Sequence, residues 1–250
     1  MADCCRKGLN RPYIKSGLSA ISFMHKISKS ADPTKSFRVN RMLKGLGVKK
    51  SKKPKLLPIN LEFLQKILIK LSFCSNVNLK VALKAILLLA YYGCMRIGEL
   101  VETAAGHQIR TENLRFKTIK GVTNLKITLK SYKHSSEEAT FLVPAIGGEF
   151  CPVKAIENFL LLRGAHAGTV FVNPVGKPYT RAMVAKHLKE NIGALGRNPI
   201  HYNTHSLRIA RVTQMALAGV PVEVIKRTGR WKSNAFMKYV RFESFSVPPS

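Results

Sequence analysis

The sequence is poor in acid. Of 250 residues, 13 are Asp or Glu against 42 Lys and Arg, which leaves a formal net charge of +29. A folded chain so unbalanced repels itself, and such an excess ordinarily serves a polyanionic partner. Nucleic acid fits best, because neutralising phosphates releases condensed counterions and drives binding. A ribosomal or membrane-surface protein would carry the same balance, so charge names a class of partner and no chemistry. Cysteine is scarce as well. Cys4, Cys5, Cys74, Cys94 and Cys151 are odd in number, with no CxxC pair and no Cys/His cluster at zinc-ligand spacing. They read as reduced thiols of an intracellular protein, with no metal site. Long apolar runs are missing too. The most apolar stretch, Val81 to Tyr92, carries Lys84 and is too short to cross a bilayer. The opening MADCCRKG lacks the apolar segment of a secretory signal. A soluble intracellular protein with no membrane partner is the expectation. Internal repeats and low-complexity segments are absent.

What remains is 46% hydrophobic, enough for one good-sized core and a small second domain. In residues 10–47, Ile14, Leu18, Ile21 and His25 share one face at helical spacing, Asp32-Pro33-Thr34 breaks the pattern, and Phe37, Leu43 and Leu46 begin a second amphipathic stretch. Two helices cannot enclose a core, so residues 1–48 are expected to be part of a larger helical domain. The run KKSKKPK, Lys49 to Lys55, reads as a basic linker. It is either a solvated tether or a DNA-tracking or nuclear-import segment. Residues 56–250 form the main domain. Pro58-Ile59-Asn60 caps a helix to about Leu71, and a second helix covers roughly Leu79 to Val101 with Gly98 inside it. The period then shortens. Asn113 to Ile119, Leu125 to Leu129 and Thr140 to Val143 alternate like strands, divided by Gly121 and by the polar stretch Lys133 to Glu138. Helices follow at Pro152 to Arg163, from Thr180 to about Leu195 and at His205 to Ala218. Val170 to Val172 is a candidate strand, and Val222 to Val240 reads as helical with a turn at Gly229.

Four pieces carry chemistry. GCMRIGEL places Arg96 late in the hydrophobic helix. HSLR places His205 and Arg208 on one helix face. GRWKSNAFMKY sets Trp231 before Tyr239, and LKSYKHSS holds Lys130 and Lys133 near a hairpin. Taken singly each has a plain explanation: a surface arginine, a chance HxxR, a core tryptophan, a solvated lysine. Together they match what cutting a phosphodiester needs. The transition state places extra negative charge on non-bridging oxygens, which two arginines can grip through paired N–H donors. A tyrosine hydroxyl, with a pKa near 10, is only about 0.1% ionised at neutral pH and needs cations and a base beside it. The departing 5′ oxygen needs a proton, which a hairpin lysine can supply. Cations from the protein can stand in for a metal.

Arg, hairpin Lys, HxxR, His or Trp, then Tyr, in that order, resembles the signature of the tyrosine recombinase, or phage integrase, family. In wording, YYGCMRIGEL, HSLRIARVTQMALAGVP and GRWKSNAFMKYVR are similar to the eukaryotic branch, the recombinases of DIRS-, Ngaro- and Crypton-type mobile elements. LSAISFMHKISKSADPTKSFRVNRMLKGL looks like the end of that branch's core-binding domain. The resemblance implies a mainly α (α+β) catalytic domain with a small three-stranded sheet, preceded by a truncated helical core-binding domain. It implies the catalytic set Arg96, Lys133, His205, Arg208, Trp231 and Tyr239, with Lys130 the alternative lysine and Glu99 orienting Arg96. Tyr239 would attack a phosphate to leave a 3′-phosphotyrosyl link, with no cofactor, metal or ATP. Partners would be double-stranded DNA and a homo-tetramer on paired sites. The location would be the nucleus in a eukaryote, otherwise the cytoplasm or nucleoid. Two departures are expected to matter: the chain begins inside the core-binding domain, and it ends eleven residues beyond Tyr239 (250 − 239). A type IB topoisomerase would use the same residues, and a non-catalytic DNA-binding remnant of a mobile element would retain some of them.

Overall fold

A computed structural model of the chain describes residues 2–46, 55–104, 106, 108–130, 138–164 and 167–241. The chain divides into two compact units, Met1–Pro54 and Lys55–Ser250. In the first, helices α1 (Ala2–Arg6), α2 (Arg11–Ile27) and α3 (Phe37–Gly45) follow one another. Asn10 caps α2 by accepting the Tyr13 N–H at 3.0 Å, and Pro12 sits in the first turn where its missing N–H costs nothing. The break at Asp32 has a physical cause. Its carboxylate takes the Ser22 hydroxyl at 2.6 Å and the Thr34 hydroxyl at 2.6 Å, fixing the turn between α2 and α3 and holding its pKa down at about 2. Among the described residues of this unit Ile14 is the one buried apolar side chain, while Tyr13, Phe23, Met24, Ile27 and Phe37 are exposed.

The second unit is built on α5 (Val77–Tyr92), buried almost all round from Ala82 to Tyr92. A helix apolar on every side belongs in a core. It packs against α7 (Pro152–Arg163) and α9 (His205–Leu217), while α4 (Leu61–Ser72) packs against both α5 and α8 (Arg181–Ala194). Strands β1 (Leu114–Ile119), β2 (Val122–Leu129) and β3 (Ala139–Val143) form an antiparallel sheet in the order β1-β2-β3. Leu114 pairs with Ile127, and Leu125 with Val143, so one face of the sheet joins the core. The sheet therefore begins later in β1 and earlier in β2 than the alternation suggests.

Two expectations need correction. The helix expected over Leu79 to Val101 breaks after Tyr92, and Ile97–Leu100 is a separate turn, α6. A Cβ on Gly93 would stand 2.9 Å from the Leu89 carbonyl oxygen, and Cys94 adopts φ 46°, a left-handed conformation that stops a helix. Val170 to Val172 forms no strand of the sheet; its isolated bridge joins Val172 to Pro178. As expected, Val222 to Val240 is helical with a turn after Gly229: α10 (Val222–Gly229) is followed by a 3-10 helix, Asn234–Tyr239. Arg230, with φ 56° and ψ 48°, ends α10, and Ser233 starts the next turn by accepting the Ala235 N–H.

Candidate active site

The break after α5 decides where Arg96 stands. Instead of lying late in a long helix, it caps the N-terminus of α6 in an extended conformation. Glu99, one turn on, folds back onto it. Its carboxylate accepts the Arg96 backbone N–H at 2.8 Å and the Arg96 guanidinium at 3.0 Å. The Glu99 side chain is 5% exposed and that of Arg96 25%, so the carboxylate is enclosed while the arginine still reaches solvent. This is the orienting contact expected of Glu99.

Helix α9 supplies the next two residues. Asn203 accepts the His205 backbone N–H at 2.8 Å and sets the first turn, leaving His205 partly exposed and Arg208, three residues on, fully buried. Thr213, further along α9, accepts the Arg241 N–H at 3.1 Å and donates to the Tyr239 carbonyl at 3.3 Å. Those bonds and the buried Phe236 hold the Asn234–Tyr239 turn against α9. Four residues of the expected set are thereby brought together. The His205 and Tyr239 rings lie 4.9 Å apart between centroids. Trp231 and Tyr239 lie 5.3 Å apart. The Arg208 guanidinium sits 4.0 Å from the Trp231 ring and 5.9 Å from the Tyr239 ring. Trp231 thus meets Arg208 face-on, as a cation–π partner.

Arg208 is the most enclosed charge in the site. Its terminal nitrogens donate to the Cys94 and Gly229 carbonyls, while its Nε finds no acceptor among the described residues. Burial pushes its pKa down to about 10, with the cations Arg96 and Arg230 adding to the effect, so it stays charged at neutral pH. The Trp231 ring covers it and lies so close to Gly229 that a Cβ there would occupy the place of the indole.

The tyrosines that rival Tyr239 are placed otherwise. Tyr91 is fully buried and donates to Gln214, and burial drives its pKa above the ordinary tyrosine value; burial raises Tyr92 in the same way. Tyr202 is buried against Phe63. Lys133 lies outside the described residues. Lys130 is exposed at the end of β2. One participant was missed from sequence: Arg230, whose guanidinium donates to Glu99 at 2.6 Å and whose side chain is 4% exposed. Its signal was its place between the glycine and the tryptophan of GRW. Among the described residues no group of three or more His, Cys, Asp or Glu could hold a metal ion, and no helix is long and apolar enough to cross a membrane.

No curated protein gives a significant match. Among solved structures the chain is similar to XerH site-specific recombinase bound to difH substrate in a pre-cleavage complex, at TM-score 0.57 and 17% identity, covering 77% of this chain and 53% of that one. It is similar to the Tn1549 transposon integrase in complex with circular intermediate DNA, at TM-score 0.58 and 15% identity, covering 98% and 80%. It is also similar to a lambda integrase dimer bound to a COC′ core site, at TM-score 0.58 and 14% identity, covering 96% and 64%. The chain spans about half the length of the XerH recombinase it matches. At such identities the likeness is one of fold: helices around a small antiparallel sheet, as in the catalytic domain of tyrosine recombinases. The sequence itself matches the phage integrase family over residues 64–242, which takes in Arg96, His205, Arg208, Trp231 and Tyr239. By that match the chain belongs to the phage integrase family.

Proposed function

We propose that this chain is the catalytic portion of a site-specific DNA recombinase that cleaves and rejoins DNA through Tyr239. The observation that carries the reading is the convergence of His205, Arg208, Trp231 and Tyr239 from two separate sequence motifs beside the Arg96–Glu99 pair. Tyr239 Oη attacks the scissile phosphorus, a P–O bond to tyrosine forms, and the bond to O5′ breaks. The tyrosine proton passes to a base, for which the adjoining His205 ring is the candidate. The departing O5′ takes a proton from the hairpin lysine, Lys133, with Lys130 the alternative. Arg96 and Arg208 bind the non-bridging oxygens, and the Trp231 N–H donates one hydrogen bond to them. Since the bond energy stays in the phosphotyrosine, a 5′-hydroxyl from a second strand reverses the step without ATP.

The wider reading follows the resemblance. Residues 1–48 belong to a helical core-binding domain, with residues 49–55 as a basic linker to the catalytic domain 56–250. The partner is double-stranded DNA, which the +29 net charge favours. Productive exchange uses a homo-tetramer on two sites. The origin is a DIRS-, Ngaro- or Crypton-type mobile element, with the nucleus as the location in a eukaryotic host and the cytoplasm or nucleoid otherwise. The test is incubation with nicked suicide duplexes. The wild-type protein should form a covalent adduct that Tyr239→Phe loses while still binding DNA. Duplex binding with no adduct from the wild type would favour the non-catalytic remnant, and relaxation of supercoiled plasmid without exchange would favour a topoisomerase.

A further inference from the structure

Helix α10 ends in an unusual way. A residue in the left-handed conformation after a helix is ordinarily glycine, because only glycine enters it without steric cost. Here the motif is Gly229-Arg230-Trp231, and the left-handed residue is Arg230, φ 56°, while the glycine stands one place earlier. Both choices have a cause. Gly229 must lack a Cβ because the Trp231 ring fills that space. Arg230 accepts the backbone cost because its side chain is wanted. A non-glycine residue in that region persists only where its surroundings over-determine it.

The surroundings do so. The Arg230 side chain is 4% exposed, and its guanidinium donates to Glu99 Oε2 at 2.6 Å and to the Cys94 carbonyl at 3.3 Å and lies 4.7 Å from the Phe141 ring of β3. Glu99 takes Arg96 on one side and Arg230 on the other. One enclosed carboxylate therefore joins the first arginine of the site to the segment that leads into Trp231 and Tyr239. The Cys94 carbonyl repeats the arrangement, receiving both Arg208 and Arg230. Two guanidinium groups thus meet on the Glu99 carboxylate, and the third, that of Arg208, is tied to Arg230 through the shared Cys94 carbonyl.

We infer that Arg230 is a positioning residue for DNA cleavage: through Glu99 it fixes Arg96 relative to the Tyr239 segment. The inference rests on the recombinase reading. The terminal nitrogens of Arg230 are directed to Glu99 and to the Gly93, Cys94 and Thr228 carbonyls, and its Nε is buried, so Arg230 is placed to act through Glu99 rather than on the phosphate. Its loss should therefore slow the chemical step and spare DNA affinity. A misplacement of about 1 Å in such a site costs on the order of 100-fold in rate.

The experiment measures single-turnover adduct formation on a suicide duplex, duplex affinity and thermal stability for Arg230→Met, Arg230→Gly and Arg230→Lys, alone and with Glu99→Gln. Arg230→Gly is the variant that keeps the fold, because glycine relieves the left-handed backbone while removing the clamp. Cleavage should fall by about 10–100-fold in the Met and Gly variants with affinity near wild type. Lysine, which keeps the charge without the planar fork, should recover part of the rate. The double variants should be no slower than the slower single, because both lesions open the same link. Wild-type cleavage rates in Arg230→Gly, or independent losses that multiply in the double variants, would overturn the inference and leave the recombinase reading standing. A fall in affinity matching the fall in rate would also overturn it, by making Arg230 a DNA contact. Absence of any adduct from the wild type would instead refute the reading itself, and the inference with it.

Discussion

The second unit, Lys55–Ser250, has two apolar clusters of very different size, and they do different work. The larger runs from Ile59 to Ala210 and includes α5, α7 and the inner face of the sheet. The smaller consists of Cys94, Val212, Met215, Ile225 and Phe236, with Trp231 and Tyr239 packed against it. Of the expected site, Trp231 and Tyr239 pack against the smaller cluster, and His205 and Arg208 meet those two rings. Stability is concentrated where many apolar side chains are buried, and elements with few such contacts open at lower free energy. The larger cluster thus forms the scaffold, while Tyr239, the proposed nucleophile, rides on a 3-10 turn anchored chiefly by Phe236 and by the bonds to Thr213. For the proposed role, which has the tyrosine reach DNA, react and be released, such a segment suits better than the middle of α5.

Truncating one buried side chain in each cluster is the strongest way to break this comparison. Leu88 is fully buried in the large cluster, so Leu88→Ala should cost about 2–5 kcal/mol of global stability, read as a fall in the denaturant midpoint. Phe236→Ala removes a larger side chain, yet its main effect should be local: adduct formation lost, with hydrogen exchange accelerated around residues 231–241 and little changed in α5. Equal global destabilisation by both would show a single cooperative core.

Gly229→Ala sharpens the comparison inside the small cluster. The added methyl must evict the Trp231 ring from its seat over Arg208. Since the chain has one tryptophan, intrinsic fluorescence reports on this ring alone. Emission should move to the red and become more accessible to a soluble quencher, with the large cluster undisturbed. Unchanged emission would mean the ring does not occupy that seat in solution. A smaller effect is expected from the identity of the ring. Trp231→His keeps a hydrogen-bond donor and should retain more cleavage than Trp231→Ala; equal losses would mean that the indole acts by packing on Arg208 and Tyr239 alone.

Much of this was legible in the sequence, and the reasons separate cleanly. The order Arg96, His205-x-x-Arg208, Trp231, Tyr239 could be read because it is local wording, and the helix starts at Asn60 and Thr180 could be read because caps are local too. What escaped depends on tertiary contact. The break between α5 and α6 turns on the left-handed Cys94, whose carbonyl is needed by Arg208 and Arg230 from the far end of the chain. The 3-10 turn before Tyr239 depends on Thr213 accepting and donating across from α9. Arg230 looked like one more cation in a basic chain, and only its meeting with Glu99 sets it apart.

The central claim is that Tyr239 is the nucleophile because it alone among the candidate tyrosines sits with His205, Trp231 and Arg208. The most direct measurement is to trap the covalent complex on a suicide duplex, digest it with trypsin, and locate the DNA-bearing residue by mass spectrometry. The account predicts attachment within the short peptide Tyr239-Val240-Arg241, released by cleavage after Lys238. Attachment at Tyr91, Tyr92, Tyr202 or a serine would contradict it.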